Sequence, residues 1–200
     1  MEEGGVDLSS IVAGTDGGPD ANPQAFSSPD TAQTREIYAG AFRNHYSDVP
    51  YIFNENYYSL ELGESGDFED PGEHPNHFIV LQGEWTKGPE SIKHARTTTG
   101  LEDSIFLQFN GTSANVVIDN PDGMPFEVYI DQDGFPIPKE AQGDDIKVDG
   151  IGRTYILVDE PRMYRLVLSE EYGGHDLKLS SNSDLFSIFA FTFGSYGSIA

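Results

Sequence analysis

Glu73-His74-Pro75-Asn76-His77 sets two imidazoles three residues apart beside a carboxylate, a donor set that suits Zn²⁺ or Ni²⁺. Pro75 between the histidines argues against a helix that would align both rings on one face, so the segment reads as a solvated loop. Asp131-Gln132-Asp133-Gly134 opens like a calcium loop. Position 135 is Phe, however, and the closing position 142 is Gln rather than a bidentate Glu, so it is not an EF-hand. A hairpin turn explains Asp-Gly there without metal. Asp144, Asp145 and Asp149 remain as loop acids for a structural calcium ion, and no other cofactor is indicated. Paired carboxylates can hydrolyse a glycosidic bond, yet no pair among the 34 acids stands in an apolar setting that would raise one of them. Ser65, in Gly63-Glu-Ser-Gly66, does not match a nucleophile elbow. The aromatic residues offer a different chemistry. Tyr51, Phe53, Tyr57, Tyr58 and Trp85 are the candidates to stack on sugar rings; the alternative is that Trp85 is core and the other four pin a loop.

Composition limits the partners. The net charge is -23, from 34 acids and 11 bases, of which five are Lys. Such a surface repels nucleic acid, because binding requires Lys and Arg to replace phosphate counterions. Anionic lipid is disfavoured for the same reason. A chain without cysteine has no disulfide, thiolate metal site or thiol redox centre of its own. Leu185 to Phe193 is the longest apolar run, far too short to insert across a bilayer. The acidic start Met1-Glu2-Glu3 does not resemble a secretory signal; with Met1 as the true start the expected compartment is the cytosol, and extracytoplasmic if the chain is a fragment of a larger protein.

The elements that would position these groups begin late. Residues 1–33 hold six acids, five Gly, three Pro and no Lys or Arg, and are expected to be a flexible, disordered acidic tail. Residues 34–197 form the folded module. Thr34 to Tyr46 reads as a short helix or turn, and 47–76 as a long irregular loop. Strands are expected at 77–82, at 104–109 with Ile105, Leu107 and Phe109 on one face, and at 115–118. The last is read as a hairpin with 125–130 across Asp119-Asn-Pro-Asp-Gly123. Further strands follow at 155–158, 163–168 and 175–179. A final strand at 185–193, apolar on both faces, is expected to be central and covered on both sides. About eight short strands separated by turns make an all-β two-sheet sandwich or jelly roll.

The order of motifs also has a family look. Thr34-x-Glu36-x-Tyr38-x-Gly40, Leu81-x-Gly83-x-Trp85 and Ile105-x-Leu107-x-Phe109 are followed by Val128-x-Ile130-Asp131 and Gly134-x-Pro136. Gly143-x-Asp145, Arg162-x-Tyr164-x-Leu166, His175-x-Leu177-x-Leu179 and Phe189-Ala-Phe-Thr-Phe-Gly194 complete the series. Over residues 34–194 this resembles the C-terminal domain of DipZ-type thioredoxin-like proteins. The resemblance implies a carbohydrate-binding-module-like sandwich, normally joined behind a redoxin domain, with an accessory role: docking on a redoxin partner or presenting it to a target. It carries no redox residue into this chain. Independent binding of carbohydrate or another polymer is the alternative, and acid-base hydrolysis a third.

Overall fold

A computed structural model describes residues 32–43 and 50–195, so the acidic tail expected over 1–33 lies almost wholly outside the described residues. The elements are β1 (Ile37–Tyr38), a 3-10 turn (Glu55–Ser59), β2 (Ser65–Phe68), β3 (Val80–Lys87), β4 (Ile92–His94) and β5 (Ser104–Ile118). They continue with β6 (Phe126–Gln132), β7 (Phe135–Pro136), a second 3-10 turn (Lys139–Ala141) and β8 (Lys147–Val148). The last three are β9 (Thr154–Val158), β10 (Arg162–Ser180) and β11 (Ser187–Gly194). The expected β-sandwich is present.

Two long strands build both layers. In the first half of β5 the odd residues Ile105, Leu107 and Phe109 are buried; in the second half the even residues Ala114, Val116 and Ile118 are. Side chains alternate with a period of two, so this change of parity marks the corner where the strand passes from one layer to the other. β10 follows it antiparallel, with register breaks between Arg165 and Val167 and between Leu168 and Gly173. One layer therefore runs β8–β9–β6, then the second half of β10, the first half of β5 and the start of β3. The other contains the first half of β10, the second half of β5 and β11, with β1 and β4 along the far edge of β11. Rings distant in sequence meet in the core between them: Phe109 stacks on Phe193 at 5.6 Å, and Trp85 meets Phe186, just before β11, edge-on at 5.7 Å.

Several sequence expectations are corrected. The 104–109 and 115–118 strands are one element, as are 163–168 and 175–179, because each long strand serves both layers. The hairpin between 115–118 and 125–130 does not form: Ile118 pairs with Arg162 and Ile188, while β6 pairs with β9 and β10 in the opposite layer. Asp119 to Gly123 is thus a crossover between layers. The start of the 34–46 segment is extended rather than helical. The Thr34 N–H donates to Asn110 O and the Arg35 N–H to His77 Nδ1, which holds Ile37 and Tyr38 in line to pair with β11. The 47–76 loop contains the first 3-10 turn and β2. β11, expected to be central and covered on both faces, is flanked by β5 on one side and by the short β1 and β4 on the other. It lies second from the edge of its layer, with Ile188 and Phe191 fully buried. Its outer side has no further layer over it among the described residues.

Candidate functional site

The aromatic loop packs chiefly against itself. Tyr51, Tyr57 and Tyr58 meet pairwise edge-to-face at 5.5–6.1 Å. Tyr57 and Tyr51 are buried, and their hydroxyls share a 3.0 Å hydrogen bond. The Tyr58 hydroxyl accepts the N–H groups of Tyr51 and Ile52 and donates to Ile52 O, which staples the loop backbone. Burial pushes the Tyr51 phenol up to about 12 and raises Tyr57 and Tyr58 as well, so all three stay neutral donors. Trp85 is buried, its indole N–H donating to Gln82 O and its ring 5.3 Å from His94. As candidate sugar platforms Tyr51, Tyr57 and Trp85 are therefore corrected to core positions, because a buried ring has no face to offer. Tyr58 is partly exposed, with its hydroxyl fully engaged.

Phe53 is placed differently. It stacks edge-on against Phe78 at 5.8 Å and lines an open cleft of about 580 Å³ with Asn54, Glu55, Asn56, Asp67, Glu69 and Pro71. Of the aromatic candidates, Phe53 is the one that lines this cleft. The cleft is shaped by Asn54, whose side-chain amide donates to Glu69 O and Leu81 O while its Oδ1 accepts from the Leu81 N–H. A buried Asn saturated in this way ties the 3-10 turn to β3. Asn56 donates to Asp67 O and so ties the same turn to β2. The lining has an aromatic wall and carboxylate and amide groups, with no Ser, His, Lys or Arg, so its reactive side chains are the carboxylates Glu55, Asp67 and Glu69. Its carboxylate and amide oxygens are hydrogen-bond acceptors.

The loop acids proposed for calcium are engaged by arginines. Asp144 pairs with Arg165 at 2.6 Å, Asp149 with Arg153 at 2.8 Å, and Asp145 with Arg162 at 2.9 Å while also accepting the Arg165 N–H. Burial alone would raise the Asp145 carboxyl; the Arg162 and Arg165 hydrogen bonds outweigh it and hold the group below its ordinary value. Among the described residues no three His, Asp or Glu side chains are grouped to hold a metal. His74 and His77 diverge. The first bonds Asp70 at 3.1 Å and stacks on Phe106, while the second accepts from the Arg35 backbone. In the calcium-loop-like segment, Asp133 and Gly134 both have positive φ and join β6 to β7 as a two-residue turn. The Asp133 carboxylate takes His175 at 2.8 Å and the Asp176 N–H.

One charged cluster escaped the sequence reading. His94 on β4 is fully buried, with Nδ1 2.9 Å from Ser183 O and Nε2 2.8 Å from Asp103 Oδ2. Arg96 reaches both oxygens of Asp103, each at 2.8 Å, and also pairs with Glu84. Asp103 is 1% exposed. Nothing in Glu102-Asp103-Ser104 marks this acid from sequence, since its partners stand seven to nine residues away across a turn. The cluster locks β4 and the following turn.

Comparison with known proteins adds three findings. The family described as "Thioredoxin like C-terminal domain" matches residues 34–194. No curated protein matches the chain. Among solved structures, similarity extends to a family two carbohydrate esterase from Clostridium thermocellum in complex with cellohexaose, at 23% identity and a TM-score of 0.41. An active-site mutant of a family two esterase from the same organism gives 24% and 0.42. Each match covers 58% of this chain and 31% of the esterase.

Proposed function

The chain belongs to the thioredoxin-like C-terminal domain family, and from that membership we propose that it is a non-catalytic accessory module that docks on a redoxin partner. The observation that carries the reading is the extent of the match: residues 34–194 take in every strand of the sandwich. The chemistry of the chain agrees. Without cysteine it has no thiol couple, and the imidazole and carboxylate of the His94–Asp103 pair are buried. An accessory domain of this kind contributes surface and geometry rather than reacting groups. Mixing the full chain with a separately expressed thioredoxin-like domain of a family protein that carries both is expected to give saturable one-to-one association by titration calorimetry. No heat and no co-elution at a partner concentration of about 100 μM would refute docking.

A second reading rests on the cleft. Phe53 beside Glu55, Asn56, Asp67 and Glu69 places an apolar wall next to several hydrogen-bond acceptors, as a neutral hydroxyl-rich polymer requires. An acidic cleft also discriminates against anionic glycans. On this reading, retardation of the chain in affinity gels containing neutral polysaccharides is expected to fall about tenfold or more in Phe53→Ala. Tyr57→Ala would instead lower stability, because that ring is core. Equal retardation of wild type and Phe53→Ala would remove the cleft from consideration.

A further inference from the structure

The outer side of the β1–β11–β5–β10 layer carries no acid among its paired residues, on a chain whose net charge is -23. Residues directly opposite in neighbouring strands share a face. Register places Tyr38, Ala190, Val117 and Met163 in one row across the four strands. Thr192, Asn115 and Arg165 form the next, with Asn115 donating to Thr192 Oγ1 at 3.1 Å and Arg165 neutralised by Asp144 at the rim. Gly194, Ser113 and Leu168 form the third. Met163 is 44% and Leu168 57% exposed. The outer side of the opposite layer contrasts with this, since Asp131 and Asp176 sit in its rows. Exposed Met and Leu with no acid in their rows suit the centre of a protein interface, because a carboxylate buried there without a partner costs several kcal/mol; Arg165, the one charge in these rows, is paired with Asp144.

We infer that this face is the seat of the thioredoxin-like partner, an assignment that rests on the docking reading above. Two observations choose the occupant. A second copy would bring another net charge of -23 into contact, so self-association is opposed by repulsion and a different protein is favoured. The chain also enters the fold at one end of this face. The Gln33 side chain donates to Phe193 O and the Thr34 N–H to Asn110 O, next to the row of Gly194, Ser113 and Leu168. A domain joined on the N-terminal side of residue 34 is delivered to that end. The small residues Gly194 and Ser113 leave the surface low enough for close approach, with Met163 and Leu168 standing up as anchors, while Ala190 in the first row is buried.

The test titrates the thioredoxin-like domain of a two-domain family protein into the full chain and into three variants. Met163→Asp and Leu168→Asp add a charge to the face at exposed positions; Gln108→Asp adds the same charge to the outer side of the opposite layer. Affinity is expected to fall about tenfold or more in the first two and to stay within about twofold in the third. Thermal melting confirms that each variant folds. Equal affinity in all four proteins would overturn this face while leaving docking standing. No binding by the wild type would overturn docking and the face with it.

Discussion

Asp103→Ala is expected to lower the folding stability by about 3–5 kcal/mol, the range seen when one member of a buried ion pair is removed. A domain of this size has about 5–15 kcal/mol in total, so the loss is a large share. The magnitude follows from what the variant leaves behind. His94, fully buried, keeps its bond to Ser183 O but loses the acceptor at Nε2, and Arg96 loses both oxygens it held. Arg96 is the lesser problem, since its guanidinium is partly exposed and keeps Glu84. The imidazole cannot reach water without opening the packing against Trp85, and that desolvation is the larger part of the cost. Urea unfolding monitored through Trp85, the single tryptophan of the chain, measures it. A loss below about 1 kcal/mol would show that the cluster is an ordinary surface pair.

Acid should have the same effect on the wild type. Burial alone would raise the Asp103 carboxyl, but the hydrogen bonds from Arg96 and His94 outweigh it and hold the group below the ordinary 3.8. A carboxyl acidified by folding stabilises the native state fully above its unfolded value, and the contribution disappears as pH falls through the lower folded value. Wild type is therefore expected to lose stability more steeply than Asp103→Ala below pH 3.8, so that their unfolding free energies draw together.

How far this was legible in the sequence depends on the range of the interactions concerned. Period-two alternation is local, and it correctly gave the inward faces of Ile105, Leu107 and Phe109 and of Leu177 and Leu179. The Asp133-Gly134 turn was equally local, since its two positive φ angles belong to adjacent residues. Pairing is non-local. Asp119-Asn-Pro-Asp-Gly looks like a hairpin loop, and only the partners of Ile118 reveal that the chain changes layer there. The aromatic loop failed for a related reason. Tyr51, Tyr57 and Tyr58 are consistent with either a binding platform or a self-packed plug, and the choice turns on hydroxyl partners within the loop itself. Of that cluster Phe53 alone reached the cleft, beside acids that composition could not distinguish among 34. His94 and Asp103 were invisible because a buried ion pair has no spacing signature across a turn.

Gly83→Ala should be at least as damaging, although it removes no interaction directly. Gly83 sits inside β3 with φ of +86°, where an L side chain is strained by about 1–3 kcal/mol. A Cβ built there overlaps Asp103 Oδ1 and Cγ, so the carboxylate itself must move. Moving it pulls the acceptor away from Arg96 and His94, and the substitution then incurs the loss argued for Asp103→Ala on top of the backbone strain. The missing side chain lets the strand turn while the buried carboxylate fills the space. That account predicts a coupling. In the double variant the carboxylate is gone, leaving the strain and a 2.8 Å approach to Asp103 Cβ. The two single losses should therefore overshoot the double loss by most of the Asp103 contribution, about 3–5 kcal/mol, less the cost of that remaining approach, in a double-mutant cycle. Additivity within about 0.5 kcal/mol would mean that Gly83 is required for its φ alone, and that the ion cluster and the bend of β3 are independent.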